Sequence, residues 1–76
     1  MTSKEGLMQM KDFLGIAIAG RESTVEKFRE KEKQYLSNGE NIPYDVSYNL
    51  YKDLHEMNIL KIAYYRIEEI IDEVTD

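Results

Sequence analysis

His55 and Glu56 are the residues whose types come nearest to chemistry, since a His-Glu pair on a helix opens a zinc-protease site. That site needs a second His four residues on, and the position holds Ile59. A di-iron bundle needs Glu three residues before the His, where Lys52 stands instead. With one His and no Cys in the chain, thiolate zinc sites, disulfides and Cys nucleophiles are excluded. Ser23, Ser37 and Ser47 lack a context that would build an oxyanion hole, and a single His would have to serve as base. Gly6, Gly15, Gly20 and Gly39 are scattered without the spacing of a phosphate loop. A carrier protein would attach its cofactor at a helix-starting Ser in an Asp-Ser-Leu context, but the chain reads Val46-Ser47-Tyr48 and Glu22-Ser23-Thr24. No metal, cofactor or enzymatic activity is expected.

The elements that carry these residues are helical. Leu50, Leu54, Met57, Leu60, Tyr64, Ile67, Ile71 and Val74 recur at steps of three and four, the rhythm of one helix face. Neither Pro nor Gly interrupts the segment 50–74, so a helix over about 45–74, roughly 45 Å long, is expected. A compact globule of this length would be only about 30 Å across. Pro43 suits the first turn of that helix, and Asp45 could cap a slightly later start.

Upstream, Leu7, Met10, Leu14 and Ala17 predict a helix over about 3–19, with Gly15 and Ala19 leaving one flank free of bulk. A short buried strand through Ile16-Ala17-Ile18 is the competing reading, but nothing else in the chain could pair with it. Gly20 to Glu22 reads as a break or bend, because Ser23 and Glu26 form a capping box at the start of a further helix over about 23–37. Ser37-Asn38-Gly39 is its stop signal. The fold expected is all-α, one domain over 1–76: a helical hairpin if the bend is slight, a small three-helix bundle if it is sharp. In either case it would associate further through helix packing.

Seventy-six residues give a core that is only marginally stabilising. Without disulfides or metals, oligomerisation is the expected supplement. Net charge is −5, which argues against direct nucleic-acid binding. The longest apolar run, 13–19, is too short to cross a bilayer, and acidic Glu5 and Asp12 do not suit a secretory signal. Cytoplasmic residence without membrane attachment is expected.

Two surface features point to partners. The first is a second row on the long helix: Tyr44, Tyr48, Tyr51 and His55, extended by Ile62 and Tyr65. Tyr is apolar in body and polar at its tip, and is enriched at interfaces. The region 23–37 offers too few apolar side chains to cover both rows, so this row is the expected oligomer or partner interface. The second is the acidic end, where Glu68, Glu69, Asp72, Glu73 and Asp76 oppose the helix dipole without a basic residue among them. Lys4 and Lys11 would approach it in a hairpin.

The leading reading is a small acidic homo-oligomeric module that binds, and inhibits or regulates, another protein. One alternative is an acidic decoy for a basic nucleic-acid-binding groove, a role that small phage and mobile-element inhibitors take. Another is a nucleotide sponge, with Tyr side chains and Arg21, Arg29 or Arg66 lining a site between subunits.

Overall fold

A computed structural model describes residues 2–74. It contains two α-helices, α1 (Ser3–Ser37) and α2 (Tyr44–Glu73), packed antiparallel and joined by residues 38–43. There is no strand among the described residues.

The helix ends follow from local chemistry. The Thr2 hydroxyl accepts a 3.1 Å hydrogen bond from the Glu5 amide, capping α1. At the other end Glu40 N–H donates to the Tyr35 carbonyl at 2.9 Å and Gly39 N–H to the Leu36 carbonyl at 3.1 Å. That pair of bonds is a Schellman motif, and it requires the left-handed residue that Gly39 supplies at φ 70°. Pro43 precedes α2 with φ −59°, and its carbonyl accepts from Val46 and Ser47. Asp45 in the first turn complements the helix dipole.

The expected break at Gly20 is absent, and with it the three-helix bundle. The segments expected at 3–19 and 23–37 are one continuous helix, and Ser23 and Glu26 lie in its interior instead of forming a cap. A helical glycine costs only about 1 kcal/mol relative to alanine, which neighbouring contacts can offset. Those contacts flank Gly20: Arg21 reaches Asp53 and Glu56 of α2, and Glu22 lies 3.6 Å from Lys61.

Both helices present heptad-spaced seams to each other. On α1 the inward positions are 4, 7, 11, 14, 18, 21, 25, 28, 32 and 35, all buried or half-buried. On α2 they are 46, 50, 53, 57, 60, 64, 67 and 71, with half-buried Val74 continuing the series just past the helix end. Alternating steps of three and four are the pattern of knobs-into-holes packing. Val25, Val46, Leu50, Met57 and Ile67 form the buried apolar centre. Gly15 admits Tyr64 closely, since a Cβ built at Gly15 would lie 3.7 Å from the Tyr64 ring.

The result is a rod of 58 × 16 × 14 Å with a radius of gyration of 17.2 Å. A compact chain of this length would have a radius near 11 Å. The rod exposes 5703 Å², whereas a compact monomer of this mass exposes about 4,900 Å².

Candidate interaction surface

The outward flank of α2 is built by the same heptad rhythm, shifted by two residues from the inward seam. Tyr44, Tyr48, Tyr51, His55, Asn58, Ile62, Tyr65 and Glu69 follow at alternating steps of four and three, and every one is exposed. Tyr44 is 82% exposed, Ile62 71% and Tyr51 64%. The six residues singled out in the sequence therefore lie on one side of one helix, turned away from α1. Tyr44 and Tyr48 stack with ring centroids 6.0 Å apart, and Tyr65 meets Tyr64 edge-on at 5.6 Å. These contacts order the rings on the surface without covering them.

The acidic end is partly neutralised from within. Lys11 Nζ lies 3.6 Å from Glu68 and also sits over the Tyr64 ring, 5.5 Å from its centroid. Arg66 donates a 2.8 Å hydrogen bond to Glu69 one turn along the same helix. Asp72 and Glu73 are exposed at the tip. Asp76 lies outside the described residues.

The arginines proposed for a nucleotide site are dispersed. Arg21 is taken up by Asp53 and Glu56, and Arg66 by Glu69. Arg29 borders a hollow of about 220 Å³ together with Glu22 and Glu26, whose carboxylates would repel a phosphate. Among the described residues no three His, Cys, Asp or Glu side chains converge as metal ligands would.

Two features escape the apolar pattern of the sequence. One is the polar layer in the seam. The heptad positions of α2 pass through Asp53 and not Leu54, and Asp53 is 7% exposed beside Arg21. An uninterrupted count of 46, 50, 53, 57, 60 would have found it. The other is a shallow groove of about 470 Å³ near the open end of the hairpin, formed by Gly6, Met10, Phe13 and Leu14 of α1 with Ala63 and Ile67 of α2. Phe13 and Ile16 project from this half of α1 into solvent.

No protein family, curated protein or solved structure that the chain was compared with matches it. No helix among the described residues is long and apolar enough to cross a membrane.

Proposed function

We propose that this protein is a non-enzymatic interaction module that self-associates through the outward flank of α2. As an oligomer it binds a partner protein and inhibits or regulates it. One observation carries the reading: Tyr44, Tyr48, Tyr51, His55, Ile62 and Tyr65 are all exposed along one helix side. Scattered apolar residues on a surface are ordinary, but a contiguous row of large ones marks a contact surface. A large apolar side chain gains about 1.5–3 kcal/mol on full burial, and covering this half-to-mostly exposed row recovers part of that at each position, set against the ordering costs of association.

The acidic decoy receives less support. Glu68 and Glu69 already have cations of the same chain beside them, which weakens the field that would draw a basic groove.

The test is the Tyr48→Ala/Tyr51→Ala double variant. Its particle mass in sedimentation should fall to that of a single 9.0 kDa chain while helicity by circular dichroism is retained. A wild-type protein that sediments as a monomer, with partner capture untouched by the double substitution, would overturn the proposal.

A further inference from the structure

Building on that reading of the flank, we propose that its occupant is a second copy of this chain, laid antiparallel so that Tyr48 meets Tyr65 of the partner subunit and Tyr51 meets Ile62 of the partner subunit. The elongated shape leaves surplus surface of the order that one such occupant covers, and the exposed row runs along one side of it. The rod exposes 5703 Å², about 800 Å² above a compact monomer of its mass. A standard interface removes about 800 Å² from each partner.

The register follows from the heptad and the charges. In an antiparallel helix pair the two kinds of seam position face one another. Positions 48, 55, 62 and 69 must then oppose 44, 51, 58 and 65. Using the whole seam sets Tyr48 on Tyr65, Tyr51 on Ile62, His55 on Asn58 and Tyr44 on Glu69, each pair occurring twice about the two-fold axis. Aromatic and apolar groups then meet one another, and the polar groups meet as donor and acceptor. On the margin, Asp45 lies opposite Arg66 of the partner subunit, whose guanidinium has donors to spare beside its single bond to Glu69 of its own chain.

The alternatives juxtapose like charges. Sliding one heptad in one direction sets Lys52 against Lys52 of the partner subunit. Sliding in the other sets it against Arg66 of the partner subunit. A parallel pair brings Lys61 towards Arg66 of the partner subunit and stacks Glu69 on its own copy. Like charges in such positions disfavour a pairing. The antiparallel dimer places α2 of each copy at the centre, with an apolar seam on either side, and α1 outermost.

The absence of Cys makes disulfide trapping clean. Tyr48→Cys and Tyr65→Cys are prepared as separate full-length variants, mixed and oxidised. The expected product is the mixed disulfide, in large excess over either symmetric one, because two copies of position 48 would be about 25 Å apart along the axis. As a second measurement, Asp45→Arg should weaken dimerisation about tenfold, and adding Arg66→Asp should restore it. Symmetric disulfides, or no rescue by the charge swap, would overturn this register while leaving self-association through the flank in place. A dimeric mass with no disulfide of either kind would move the contact to another face and overturn the proposal. A wild-type chain that remains monomeric in light scattering would remove the underlying reading as well.

Discussion

Arg21 of α1 donates a 3.2 Å hydrogen bond to Asp53 of α2, whose side chain is 9% exposed, and its other terminal nitrogen lies 2.8 Å from Glu56. This layer interrupts an otherwise mainly apolar stretch of the seam between Leu50 and Met57. A buried carboxylate without its cation is strongly unfavourable, whereas replacing a buried pair by apolar groups is often neutral or better. Its value lies in alignment, since only one register brings Arg21 to Asp53.

Arg21→Met should therefore cost about 2–3 kcal/mol in chemical denaturation, because Asp53 is left charged in the seam. Asp53→Leu should be near neutral or stabilising, since Arg21 keeps Glu56 and the seam gains an apolar residue. Equal losses for both variants would mean that the pair stabilises by simple attraction. The double variant should retain stability but sample shifted alignments, visible as broadened amide resonances.

Gly20→Ala should stabilise the hairpin by about 0.5–1 kcal/mol. A Cβ there meets nothing within 4 Å, and the position lies in the middle of a continuous helix. Thermal unfolding of the two proteins gives the comparison. A loss of stability would restore the bend that the local sequence suggests.

Self-association through the tyrosine flank should persist in 1 M NaCl, where screening acts over about 3 Å. Burial of aromatic surface drives it, and the marginal Asp45 and Arg66 contact contributes little by comparison. Concentration-dependent light scattering at low and high salt measures this. Dissociation by salt alone would shift the weight to the acidic tip.

Much of this fold was legible. The spacing of α2 and its uninterrupted length gave its bounds to within a residue, and Ser37-Asn38-Gly39 marked the turn. The outward row was visible because Tyr44, Tyr48, Tyr51, His55, Ile62 and Tyr65 keep helical spacing beside the inner one. The continuity of α1 was not legible, because Gly20 and the Ser23/Glu26 pair are local stop and start signals. What overrides them is tertiary: Arg21 and Glu22 hold partners more than thirty residues away in the chain. Asp53 was hidden for a related reason. Leu54 stands four residues after Leu50 and three before Met57, so it satisfies the apolar rhythm in place of Asp53, and only the count carried from Val46 together with the Arg21 pairing turns the charged residue inward.

The buried apolar residues are unevenly placed. Val25, Val46, Leu50 and Met57 belong to the half that ends in the turn, and Ile67 stands by itself in the other half. The molecule is thus sprung like tweezers, with a tight grip beside residues 38–43 and two looser arms beyond the Arg21 and Asp53 layer. Local opening begins where such packing is thinnest. The arms, one carrying Met10 and Phe13 and the other Ala63 and Ile67, would part first and widen the groove between them, while the tyrosine row, much of it nearer the grip, keeps its spacing.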